Sequence, residues 1–317
     1  MKVAVTGANG FLGGYIVRAF LSGNHKVMAL VRKSADLSNL PNHENLSIAT
    51  IDYKQELSIQ FQQKLDEFGK LDLFIHNAGV TVSLNKQEYF DINTVLTQNI
   101  LAALKTSTWL NEGKFIYMSS LAAEGPMGFD SPISLYGESK LAAESKVKES
   151  AFRYLIIRPT AIYGAGDFAF LPLFKAAAKG IYPLTNRHQK MSMIHAKDLA
   201  EIILHESMKT EGILHATDGQ TYLHQHFIDA LEMATSKRIR KIPVPASLSK
   251  LSLGLSDVWH KLIGKRPRLT NEKFQEISQD WDLHSRNELC FSHIPCKITL
   301  EEGFRDAYNY YKTQNLL

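Results

Sequence analysis

The chain has 317 residues, of which 44% are hydrophobic and 21% charged, and its net charge is +4. That length supports one large domain, or a large and a small one, with ample core. The Lys and Arg are scattered, so charge calls for no nucleic-acid partner, and no stretch approaches the roughly 18 uninterrupted apolar residues of a membrane span. Cys290 and Cys296, the two cysteines, fit neither a disulfide framework nor a four-ligand zinc site, so no metal is expected and a reducing cytoplasm is the natural compartment. In chain order, Val3 to Thr6, Lys26 to Val31, Leu46 to Ile51, Leu71 to His76, Lys114 to Met118 and Tyr154 to Ile157 read as strands. Phe11 to Ser22, Gln55 to Phe68, Tyr89 to Leu110 and Leu135 to Glu149 read as the helices between them. Short apolar runs alternating with longer amphipathic stretches predict an α/β fold with a doubly wound parallel sheet, whose ligand crevice lies beyond the carboxyl ends of the strands.

Residues 1–163 are expected to form this dinucleotide-binding Rossmann domain. Residues 164–317 are expected to form a smaller, mostly helical substrate lobe, part of it returning to the main sheet. Its helices are placed at Phe170 to Lys179, Ala196 to Ser207, Gln225 to Ala234 and Asn271 to Gln279, joined by connectors such as Ile242-Pro243-Val244-Pro245. The amphipathic stretch from Ala246 to Ile263, with Leu248, Leu251, Leu255, Trp259 and Leu262 at helical spacing, reads as a core-facing or pocket-lining helix, membrane-surface association being the alternative.

Thr6-Gly7-Ala8-Asn9-Gly10-Phe11-Leu12-Gly13 follows a strand and opens a helix, the context a dinucleotide fingerprint needs. Gly7 and Gly10 allow a tight turn against a pyrophosphate on the helix N-terminus, and Gly13 allows close helix-to-strand packing. After the second strand the chain reads Val31-Arg32-Lys33, with no carboxylate to meet a free ribose. This favours NADP(H), with NAD(H) as the alternative. Asp52, with Tyr53 after it, ends the third strand where an adenine amino group would lie.

Tyr136-Gly137-Glu138-Ser139-Lys140 places a phenol and an ammonium four apart on one helix face. A fixed cation favours the phenolate, so Lys140 is expected to lower the pKa of Tyr136 toward the working range.

With these residues the sequence resembles the extended short-chain dehydrogenase/reductase family, the NAD-dependent epimerases and dehydratases, over nearly its whole length. His76-Asn77-Ala78-Gly79 matches the segment passing beneath the cofactor, and Asn93 the helix asparagine that supports a proton-relay water. Phe115-Ile116-Tyr117-Met118-Ser119-Ser120 matches the strand ending in the catalytic hydroxyl, a role the resemblance gives to Ser120. Arg158-Pro159-Thr160-Ala161-Ile162-Tyr163-Gly164 matches the segment at the nicotinamide end, which brings Pro159 and Ile162 to the cofactor. Ile194-His195-Ala196-Lys197-Asp198-Leu199-Ala200 matches a later helix start. The resemblance implies an enzyme in which Tyr136 gives or takes the proton, Ser120 fixes the reacting oxygen and Lys140 also holds the ribose hydroxyls.

Sugar-nucleotide members carry an Arg-Asp pair seven and six residues before the position of Asp198; here those positions are Met191 and Ser192. Losing the arginine removes a charge-assisted phosphate contact of about 1.5–3 kcal/mol, which Lys190 or Arg187 could replace. Leu121-Ala122 stand where dehydratases show Asp-Glu, and only 15 residues separate Ser120 from Tyr136, so a trimmed loop is expected over the site. Val31-Arg32 after the second strand and Gly264-Lys265-Arg266-Pro267-Arg268-Leu269-Thr270 in the later lobe resemble the dihydroflavonol-reductase and 3β-hydroxysteroid-dehydrogenase-like members. Hydride transfer at an alcohol or ketone carbon is the leading expectation. Nucleotide-sugar epimerisation, then dehydration, then a non-catalytic dinucleotide sensor follow. The resemblance also implies a homodimer through the helices Tyr89 to Leu110 and Leu135 to Glu149, although Val95, Ile100, Leu101 and Leu104 suit a sheet-packing face equally well.

Overall fold

Near-continuous runs of Val, Ile, Leu and Phe make strands that are covered on both faces. In the computed structural model these are β1 (Lys2–Thr6), β2 (Lys26–Val31), β3 (Leu46–Thr50), β4 (Leu73–His76), β5 (Lys114–Met118) and β6 (Arg153–Pro159). The structure describes residues 1–107, 109–110, 112–127, 131–184, 188–245, 254, 260, 270–283 and 291–317. The expected pocket helix at 246–263, apart from Gly254 and His260, lies outside the described residues, as do 264–269, Arg187 and Cys290.

The six strands are joined by β10 (Gly212–Ala216) in one parallel sheet of order β10-β6-β5-β4-β1-β2-β3. The register places Val5 beside Ala29 and Ile75, and Ile116 beside Leu155. Helices α1 (Phe11–Ser22) and α7 (Ala196–Glu206) cover one face, where Ile16, Phe20, Leu199 and Ile203 pack on Val3, Val5 and Ile75. Helices α2 (Leu57–Phe68), α4 (Leu96–Ser107) and α5 (Leu135–Lys148) cover the other, where Phe61, Ile100, Leu104 and Val147 meet Ala4, Phe74 and Phe115. Alternate residues of one strand therefore serve opposite cores, as a period of two requires.

The helix expected from Tyr89 starts earlier and is not uniform. Asn85 caps α3 (Lys86–Phe90), a π turn follows over Asp91–Val95, and α4 continues from it. The apolar side of α4 is spent on the sheet: Ile100 and Leu104 are fully buried, while Val95 is exposed.

The second half is helical as expected, with short strands between its helices that the sequence did not announce. Between the helices α6 (Leu171–Ala178), α8 (His224–Thr235), α9 (Asn271–Ile277) and α10 (Leu300–Thr313) lie short strands β7 (Ala161–Tyr163), β8 (Ile181–Leu184), β9 (Met191–His195), β11 (Thr221–Tyr222) and β12 (Arg240–Pro243). They form a β11-β9-β7 sheet and a β12-β8 pair. Such strands, two to five residues long, carry too little periodicity to be read locally. A third core of Tyr163, Phe174, Phe227, Leu231, Phe304 and Tyr311 holds this half together. Among the described residues no helix is long and apolar enough to cross a membrane.

Candidate active site

At the carboxyl ends of the main strands lies a cavity of about 2320 Å³ that extends onto the C-terminal half. Its floor begins at the turn between β1 and α1. Gly7 has φ +63°, and a Cβ there would stand 2.9 Å from the Ala78 Cα; at Gly13 it would stand 2.1 Å from the Gly7 carbonyl oxygen. Only glycine lets the two segments approach this closely. The first turn of α1 has no side-chain cap, so its amides and the positive end of the helix dipole remain available to an anion. Thr6 fixes the neighbouring strand end, its hydroxyl accepting from the amides of Asn77 and Ala78, each at 3.1 Å.

The sequence-derived site residues converge here from six strand ends. Gly7, Asn9, Gly10, Phe11 and Leu12 line the cavity from the first turn, Arg32 from beyond β2, and Asp52 and Tyr53 from beyond β3. Asn77, Ala78 and Gly79 follow β4, Ser120 follows β5, Tyr136 and Lys140 come from α5, and Pro159 and Ile162 come from the segment around β7. Gly13 and Asn93 do not reach the cavity wall. Gly13 acts through packing. Asn93 is buried, with its Oδ1 accepting from the Val80 amide at 2.9 Å and its Nδ2 donating to the Val80 carbonyl and the Ser139 hydroxyl. Both of its amide hydrogens are therefore used within the protein, while Oδ1 keeps a second acceptor site.

Arg32 is exposed beyond β2 with Lys33 and Ser34 beside it on the cavity wall. The Asp52 carboxylate accepts from the Lys54 amide and from Gln55 Nε2. The Tyr53 hydroxyl is buried and has no hydrogen-bond partner among the described residues. The glycine cradle, the uncapped helix start and this orphaned hydroxyl together fit a dinucleotide.

Around the reacting end, the Ser120 side chain lies close enough to the Tyr136 hydroxyl to favour its phenolate form. Ser120 Oγ accepts from the Ala122 amide at 3.2 Å, while Ser119 turns away and donates to Glu144 at 2.6 Å. The expected effect of Lys140 on Tyr136 is not what governs the phenol in this structure. Burial dominates and pushes the Tyr136 pKa up, Ser120 opposing it and Glu276 and Tyr89 adding to it. Lys140 donates to the Met118 carbonyl at 2.7 Å and lies 5.0 Å from the Tyr117 ring centre; burial lowers its own pKa to about 8.

Two groups of residues have partners that the sequence did not signal. Behind the site, Arg158 forks onto Glu144 at 2.7 and 2.9 Å and reaches Glu124 at 2.8 Å, and His215 meets Glu124 at 2.7 Å. In front of it, α9 brings Lys273, Phe274, Glu276 and Ile277 onto the cavity wall. Their roles depend on partners far away in the chain, which local patterns do not record.

On this front side the wall is largely apolar, with Val80, Ile92, Phe170, Leu173, Phe274 and Trp281 among its members. Met191 stands in it at the position of the absent arginine. Lys190 is off the wall, 4.0 Å from Asp282.

The matching family model is that of the NAD dependent epimerase/dehydratase family, aligned over residues 3–215. The chain belongs to this family of oxidoreductases and epimerases. It is 28% identical to a ceramide reductase of Caulobacter vibrioides across 99% of this chain and 96% of that one. It is 25% identical to a UDP-glucose 4-epimerase of Vibrio cholerae across 96% and 94%. Among solved structures, a Bacillus cereus UDP-glucuronic acid 4-epimerase in complex with NAD superposes with a TM-score of 0.73 over 99% of both chains at 19% identity, a likeness of fold.

Proposed function

We propose that this enzyme is a nicotinamide-dependent reductase or dehydrogenase acting on a bulky, largely apolar alcohol or ketone. The carrying observation is the wall in front of Tyr136. It is apolar, Met191 replaces a phosphate-binding arginine, and Lys273 is the one cation that the described residues place there. The full-length similarity to a ceramide reductase supports a lipid-like substrate.

In this reading Tyr136 donates its proton to the carbonyl oxygen during reduction and recovers it from the alcohol during oxidation. Burial keeps the phenol protonated at neutral pH, the form that reduction requires. Ser120, which lines the cavity beside that hydroxyl, holds the reacting oxygen in place. Lys140 is the nearest cation on α5 for the ribose hydroxyls. The cofactor supplies or accepts the hydride. Arg32 and Lys33, exposed where a ribose-binding carboxylate would stand, support a preference for NADP(H).

The test is consumption of NADPH and of NADH by the full chain across a panel of long-chain and polycyclic ketones, with UDP-sugars alongside. The expected outcome is net NADPH oxidation with apolar ketones, lowered about 10²- to 10⁴-fold by Tyr136→Phe. Arg32→Ala should cost NADPH about 10- to 100-fold while sparing NADH. Interconversion of UDP-sugars without net cofactor turnover would overturn the reading in favour of an epimerase.

A further inference from the structure

Helix α9 is short, yet three of its side chains converge on the first turn of α5. Glu272 accepts from the Leu135 amide at 2.7 Å. Glu276, only 4% exposed, accepts from the hydroxyl of Ser134, the residue that caps α5. Lys273 pairs with Glu276 and sets its Nζ 4.6 Å from the centre of the Tyr136 ring. One helix thus presents both signs of charge to a single phenol. The remaining titratable neighbours are Tyr89, whose ring centre is 6.5 Å away, and Tyr117 and Lys140 behind it. Lys140 is engaged with the Met118 carbonyl.

We propose that Lys273 and Glu276 form an adjustable counter-charge on Tyr136, positioning residues through which the C-terminal half sets how readily the phenol gives up and regains its proton. The proposal rests on reading Tyr136 as the proton-transferring group. A cation on the ring face favours the phenolate, whereas a buried carboxylate nearby disfavours it. While the two are paired, much of each effect cancels. Both line the cavity that receives substrate, so a polar group beside the substrate carbonyl can compete for either partner. Engaging Lys273 leaves the carboxylate to hold the phenol protonated, ready to donate. Engaging Glu276 leaves the cation to favour the phenolate, ready to accept. A substrate carrying an amide, hydroxyl or acid next to its reacting carbon would be distinguished in this way from a plain ketone.

The test is direct titration of the phenol. Full-length protein saturated with oxidised nicotinamide cofactor, with its tyrosines isotope-labelled at the hydroxyl-bearing carbon, is followed by carbon NMR. The Tyr136 signal is identified by its loss in Tyr136→Phe. Lys273→Met should raise the midpoint by about one pH unit and Glu276→Gln should lower it by about as much, with the double variant falling between them. Lys273→Arg should stay within about 0.3 unit of the parent. Single variants that leave the midpoint unmoved, or that both move it the same way as general loosening of α9 would, overturn the proposal. Lys273 is partly exposed, so its variant decides the matter alone should Glu276→Gln fail to fold. Retained turnover in Tyr136→Phe would instead sink the proton-transfer reading. Unmoved midpoints with an inactive Tyr136→Phe would sink the counter-charge alone.

Discussion

His76 shows how a single residue near the site ties stability to pH. It is fully buried at the end of β4, with Nδ1 2.8 Å from the Thr6 hydroxyl and Nε2 3.0 Å from that of Thr97. Burial and the nearby Lys140 charge lower its pKa to about 3 from 6.5. Between those values the unfolded chain binds a proton that the native imidazole refuses, so stability falls as pH drops through this window. Lys140 works in the opposite pH range. Its depressed pKa of about 8 means that the native state sheds a proton before the unfolded state does, so stability rises from about pH 8 toward 10.5. Urea melts of the parent, His76→Gln and Lys140→Met across pH 4 to 10 should show the acid slope reduced in the first variant and the alkaline rise lost in the second. At this scale the sequence was informative about residue types and less so about partners. Tyr136, Ser120 and Lys140, singled out through spacing and resemblance, line one cavity, yet the phenol answers first to its burial. The Asn93 side chain ties Val80 to Ser139, partners that its position in the sequence did not reveal.

At the level of elements, the junction of β1 and α1 is where sequence and structure correspond most closely. Its helix runs over Phe11–Ser22 as periodicity predicts, because an apolar stripe at helical spacing and three glycines are local signals. Gly13→Ala would drive its Cβ against the Gly7 carbonyl oxygen, forcing α1 away from the strand. The expected result is loss of nicotinamide cofactor binding by at least about tenfold in calorimetry, with a melting temperature lowered by several degrees. Other elements were less legible. The π turn at Asp91–Val95 changes the helix phase without any sequence punctuation, and β7 and β11 exist only because β9 pairs with both. Helix α9 was located to within two residues. Its docking on α5 could not be foreseen, because the Ser134 to Glu276 contact joins positions 142 apart.

Across the whole molecule, the buried network of Arg158, Glu144, Glu124 and His215 fastens β6, α5, the turn after Ser120 and β10 to one another. Glu144 is fully buried, and the ammonium of Lys148, at 3.9 Å, is too distant to replace the bidentate guanidinium. Arg158→Met should therefore cost about 3–5 kcal/mol in urea unfolding at neutral pH, because it strands a charge in the interior. A loss near zero would mean that Glu144 takes up a proton at little cost. The same connectivity explains why a reading based on local periodicity placed most of the sheet correctly while leaving open which later strand rejoins it. That strand, β10, reaches β6 only after an excursion through the second half.

The clamp of α9 on α5 also bears on how the protein is made. Serine and glutamate on either side of that contact leave the ribosome 142 positions apart, an interval on the order of ten to thirty seconds at ordinary translation rates. During that time the nascent N-terminal half holds the fingerprint, Ser120, Tyr136 and Lys140, but the first turn of α5 lacks its two carboxylate partners. On the proposed reading of Tyr136, cofactor capture would therefore precede catalytic competence.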